Sequence, residues 1–157
     1  MIAINFSFTG GSNQDPDGKG GLVNLMSGLF DEGAGDLEAN AFQEALDNAG
    51  AEMSFNSTSD ALYGSMRLLS DNKNEALDLL ALAVNEPRFD EGPVERIRQQ
   101  VLTGIRASSR DPQQQGNQKF ARALYGDHPY ARENDGTEED VTALTVDDLR
   151  GAHDQIG

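Results

Sequence analysis

The chain has 157 residues, 37 % hydrophobic and 25 % charged, a balance that excludes a disordered chain and suits one domain with one sizeable core. Its 27 acidic residues against 12 basic ones leave a net charge of −15, which repels phosphates and anionic lipid heads and argues against nucleic-acid and membrane-surface binding. There is no Cys, which excludes disulfides and thiolate metal sites, and no apolar run approaches the roughly 20 residues of a membrane helix.

Ile2 to Thr9 alternates, with Ile2, Ile4, Phe6 and Phe8 on one face and Ala3, Asn5, Ser7 and Thr9 on the other, the period of a half-buried strand. Gly10-Gly11-Ser12 ends it, and a polar loop with the turn sequence Asp15-Pro16-Asp17-Gly18 runs to Gly21. Leu22, Leu25, Met26, Leu29 and Phe30 recur at helical spacing until Gly33-Ala34-Gly35. Asp36 is the expected cap of a second helix running to about Asn48, with Leu37, Ala41, Phe42, Ala45 and Leu46 inward. Ala51, Met53 and Phe55 alternate with polar residues, and Leu62 to Leu68 alternates again, so these two strands form a hairpin.

The remainder reads as helical. Ser70 is the expected cap of a helix to about Asn85 with Leu77, Leu80, Ala81 and Val84 inward, broken by Pro87. Phe89 to Pro93 opens a helix through Val94, Ile97, Val101, Leu102 and Ile105, and Asp111-Pro112 leads into another from about Gln113 to Tyr125. After an irregular stretch, a short turn near Glu138 to Ala143 precedes a last helix capped by Thr145, with Asp148 three residues on. The expected fold is therefore α+β: a two-layer arrangement of three antiparallel strands covered by six or seven helices. So small a sheet is expected to continue in strands outside residues 1–157.

Several segments, in this order, resemble the insulinase/pitrilysin family of inverted-zincin metallopeptidases: Gly10-Gly11-Ser12, Gly20-Gly21-Leu22, Leu29-Phe30-Asp31-Glu32-Gly33, Asn48-Ala49-Gly50-Ala51, Ser57-Thr58-Ser59-Asp60, Asn85 to Phe89, Tyr125 to Tyr130 and Gly136-Thr137. The resemblance covers nearly the whole chain. It implies the metallopeptidase half-domain of the LuxS/processing-peptidase type, with residues 1–157 as a single amino-terminal half-domain clipped at both ends. Its catalytic motif is His-x-x-Glu-His on the helix after the Gly-rich turn, with a third ligand, Glu, far downstream. Two His one turn apart reach one zinc, and the Glu takes a proton from the zinc-bound water.

Aligned on Gly21-Leu22 and Leu29-Phe30, the His positions hold Asn24 and Gly28 and the general-base position holds Ser27. Gly104, in Gly104-Ile105, matches the third ligand. None of the four supplies the lost chemistry. No catalytic, cofactor or metal residue, and no zinc, is expected in this chain; zinc is expected in an active partner.

The other candidates read as structural. His128 matches the family's His-Pro-Tyr segment and His153 is expected at the surface. The clusters Glu138-Glu139-Asp140 and Asp147-Asp148 suit first turns of helices better than a weak divalent-cation site. Gly18-Lys19-Gly20-Gly21 lacks the Lys-Ser/Thr of a phosphate loop.

The resemblance thus implies a zinc-less half of a peptidase assembly that helps enclose and hold peptide substrate, pairing with a catalytic chain or a second half-domain. The acidic surface suits basic peptides. The alternatives are a structural core-type subunit with no role in proteolysis, and an active zinc metalloendopeptidase, which would need a His-x-x-Glu-His string that this chain does not contain. Bacterial two-chain relatives imply a periplasmic location. Open strand edges imply a dimer joined edge to edge.

Overall fold

A computed structural model describes residues 1–156. Strand β1 (Ile2–Thr9), β4 (Ala51–Ser57) and β5 (Ala61–Leu68) form an antiparallel sheet in the order β1-β5-β4. The register pairs Ile4 with Met66 and Met66 with Met53, so the alternation read along each strand puts the apolar residues on one face. Ala3, Asn5, Ser7 and Thr9 lie on the other, exposed face. Gly64 is bare because the ring of Phe6, its cross-strand neighbour, lies where a Cβ would stand.

Among the described residues seven α-helices complete the two layers: α1 (Leu22–Ser27), α2 (Ala39–Ala49), α3 (Lys73–Asn85), α4 (Glu91–Ser108), α5 (Pro112–Tyr125), α6 (Glu138–Ala143) and α7 (Val146–His153). Two apolar clusters hold α1 to α4 and α7 to the sheet. One gathers Leu25, Met26, Leu29 and Phe30 with Leu62, Phe89, Val94 and Leu149. The other gathers Phe42, Leu46, Met66, Leu68, Ala76, Leu79 and Ala83. No helix among the described residues is long and apolar enough to cross a membrane.

Four expectations are corrected. The first helix ends at Ser27, and Leu29 and Phe30 are buried from the turn that follows. Asp36 caps nothing: it lies in the turn of a short hairpin, β2 (Gly33–Ala34) with β3 (Leu37–Glu38), and Glu38 is the residue that precedes α2. This hairpin is held from outside, because Gly35 N–H donates to Glu86 O (2.9 Å) and Arg88 Nη1 donates to Gly35 O (2.9 Å). Ser70 opens a 3₁₀ turn (Ser70–Asn72), and α3 begins at Lys73. The buried face of α3 is Ala76, Leu79 and Ala83, whereas Leu77 is exposed. A helix this rich in Leu and Ala carries apolar residues all round, so tertiary contact selects the stripe.

Candidate functional site

The lead-in to α1 is built by a buried carboxylate. Asp15 accepts from Gly21 N–H (2.9 Å) and Val23 N–H (3.1 Å), so it fills the helix terminus that an outside anion would need. Burial pushes its carboxyl up to about 6, against the downward pull of these amides and of Arg132. Gly21 has φ 83, and a Cβ there would stand 2.4 Å from Asp135 O. One on Gly136 would stand 2.3 Å from Gly20 O. Two backbones therefore meet where both residues are glycine, which brings the loop around Asn134 onto the exposed side of α1.

A cleft of about 590 Å³ opens there, between α1, β4, α4 and this loop. Asn24, Ser27 and Gly28 all line it. The Ser27 hydroxyl donates to the Asn24 carbonyl (2.7 Å) and is buried. Ser57 Oγ lies 3.4 Å from Asn24 Oδ1, and Asn134 Nδ2 donates to Ser57 O (3.1 Å). The floor is thus a chain of neutral amides and hydroxyls bonded to one another. Helix α4 contributes Ile97, Gln100 and Val101. Gly104, one turn further along, is not among the lining residues, and a Cβ added to it would meet nothing within 4 Å. The structure therefore brings three of the four predicted positions together and leaves Gly104 outside.

Carboxylates form the rim. Asp31, Glu32 and Asp135 line the cleft; Glu32 is paired with Arg96, and burial raises the Asp31 carboxyl above its usual range. Beyond it, His128 Nδ1 accepts from Tyr130 N–H (3.2 Å) and its ring packs on Tyr130, the local arrangement expected of it. His153 is not a surface residue. It is half-buried between Phe30 and Phe89, with Nε2 2.7 Å from Val84 O. The acidic clusters occupy the first turns of α6 and α7, where Thr137 and Thr145 cap the helices, Glu138 pairs with Arg106 and Asp148 with Lys19. Among the described residues no three His, Asp or Glu side chains gather as a metal-binding group.

Compared with known families, residues 2–138 match the model of the insulinase family, peptidase family M16. The chain belongs to the insulinase family. Among its curated relatives, the "non-peptidase homolog YmxG" of Helicobacter pylori is 23 % identical over 150 residues, 96 % of this chain and 35 % of that protein. An "uncharacterized zinc protease" of Mycobacterium leprae is 28 % identical over 143 residues, 91 % of this chain and 32 % of that protein. The chain thus spans about a third of these relatives' length. Among solved structures, a peptidase M16 inactive domain from Pseudomonas fluorescens superposes with a TM-score of 0.89 at 28 % identity, covering 95 % of this chain and 36 % of that one.

The insulinase-family zinc does not fit the residues present. A Cβ on Gly28 would stand 2.9 Å from Ile97 Cγ2, a buried, branched methyl with little freedom to move. The Ser27 hydroxyl is committed to the Asn24 backbone carbonyl, and the Asn24 side chain faces the Ser57 hydroxyl. The absence of a His-x-x-Glu-His string was readable in the sequence. Ile97, Ser57 and Asn134 were not, because nothing in their local pattern places them beside α1.

Proposed function

We propose that this chain is a non-catalytic insulinase half-domain that holds extended peptide for hydrolysis by an active, zinc-bearing partner chain or half. The observation that carries this reading is the packing of Ile97 against Gly28, where an imidazole would have to leave the helix. Strand β4 supports the peptide-holding role. It pairs only with β5 among the described residues, so its other edge is free, and Ser54, Phe55, Asn56 and Ser57 line the cleft. An extended peptide added to that edge would lie over Asn24 and beside the carboxylates of Asp31 and Asp135. Basic side chains suit that rim.

The first test is calorimetric titration of zinc into chelator-stripped protein at neutral pH, with no heat above background expected. Tight, stoichiometric binding would overturn the reading. The second is fluorescence anisotropy of a labelled, unstructured Arg-containing peptide. Adjacent residues of a strand point their N–H groups to opposite edges. Of Ser54→Pro and Phe55→Pro, the one facing the free edge should therefore keep the fold and lose the peptide. Binding unchanged in that folded variant would remove strand addition from the proposal.

A further inference from the structure

Charge in this molecule is segregated. Six of the 12 Lys and Arg residues, but only one of the 27 Asp and Glu, fall within residues 96–126, the segment that makes most of α4 and all of α5. Helix α5 itself carries Lys119 and Arg122 and no acidic residue. Arg110, Lys119 and Arg122 make no ion pair with any described residue. The helix also buries none of its side chains. Phe120 is 68 % and Leu124 60 % exposed, one turn apart on the same face. An amphipathic helix with its apolar residues in solvent and its cations unpaired is a surface that lacks its cover.

The same chain carries a surface of the opposite kind. Leu69 and Leu77 are exposed in the segment 69–78 that opens α3, which carries Asp71, Glu75 and Asp78 against one cation, Lys73, and none of these four charges is in an ion pair with a described residue. We propose that α5 of one molecule docks on this acidic leucine surface of a second copy, with Phe120 and Leu124 against Leu69 and Leu77 and the flanking cations against the carboxylates. Apolar burial supplies the affinity and the charges set the register. Helix α3 packs on α2 and β5, whereas α5 packs on the turn at Pro129–Ala131, so the two surfaces belong to different parts of the molecule. The contact joins two unlike surfaces, so it can be made twice across a two-fold axis or repeat head to tail into a ring or chain. It is separate from edge-to-edge strand pairing, which uses neither surface.

Sedimentation velocity over a concentration series tests this with the 157-residue chain. The wild type should associate as concentration rises. Phe120→Asp should weaken association by about tenfold or more, the effect of losing one central aromatic anchor. Phe120 is exposed, so circular dichroism should show an unchanged fold. The charge reversal Lys119→Glu with Arg122→Glu should weaken it likewise. Mixing that protein with the Glu75→Lys, Asp78→Lys variant should restore a complex, because the reversed surfaces match again. A wild type that stays monomeric overturns the proposal. Association unaffected by the α5 substitutions also overturns it and points to the strand edges. Loss without restoration in the mixture overturns the α3 surface as the place of docking.

Discussion

Gly28 and Gly104, the two glycines proposed to replace metal ligands, are different sites. Gly28 faces Ile97 at a distance no real Cβ keeps, while Gly104 faces open space on an exposed turn of α4. The same substitution should therefore act with opposite sign. Gly104→Ala is expected to raise stability by about 0.5–1 kcal/mol, since alanine loses less backbone entropy in a helix. Gly28→Ala is expected to lower it by about 1–2 kcal/mol through overpacking. Urea denaturation of the two variants checks both. Effects of the same sign would show that Ile97 gives way. Asp15 sets a second expectation. Its folded value of about 6 lies above the ordinary 3.8, so between these two pH values the native state holds a proton that the unfolded chain has released. Stability contributed by this group is present below about pH 4 and is lost as pH rises through about 6, by about 3 kcal/mol in full. The urea midpoint should fall over that window, and Asp15→Asn should flatten the fall. Equal slopes in the two proteins would place the cause in the general charge.

At the scale of elements, order follows burial. Helix α1 and strand β5 are flanked by fully buried Leu25, Met26, Leu62 and Met66, whereas α5 buries nothing. Native-state hydrogen exchange should show α5 amides exchanging first, through local opening, and those of α1 and β5 last. Protection of α5 equal to that of α4 in dilute, monomeric protein would contradict this. Helix α7 depends on its start: Thr145 Oγ1 accepts from Asp148 N–H (3.2 Å), and Asp148 Oδ2 accepts from Thr145 N–H (2.9 Å). Thr145→Ala should cost about 1 kcal/mol, read as a lower urea midpoint.

The whole molecule is held against its own charge. A net charge of −15 on 157 residues repels itself, and six ion pairs among the described residues offset little of that. Raising NaCl from about 0.1 M to about 1 M shortens the screening length from about 10 Å to about 3 Å. The melting temperature should rise by a few degrees with it, and a fall would mean that local pairs outweigh the general repulsion.

The sequence by itself determined the three strands of the larger sheet, the alternation of β1, the helices from α4 onward, and the absence of a His-x-x-Glu-His string. Each of these depends on residues that are neighbours along the chain, or on side-chain chemistry that needs no neighbour. Alternation and capping report on local geometry, and a glycine can bind no metal in any fold. Only the tertiary structure decided the rest. The stripe that α3 buries was hidden because Leu and Ala surround that helix, so contact with α2 and the sheet had to choose it. The β2–β3 hairpin is two residues on each side, too short to show a period, and is held by Glu86 and Arg88 from the loop after α3. Ile97 closes the space beside Gly28, and Ser57 and Asn134 tie Asn24 into the cleft floor, across 69, 33 and 77 residues of chain in contacts that no local pattern encodes.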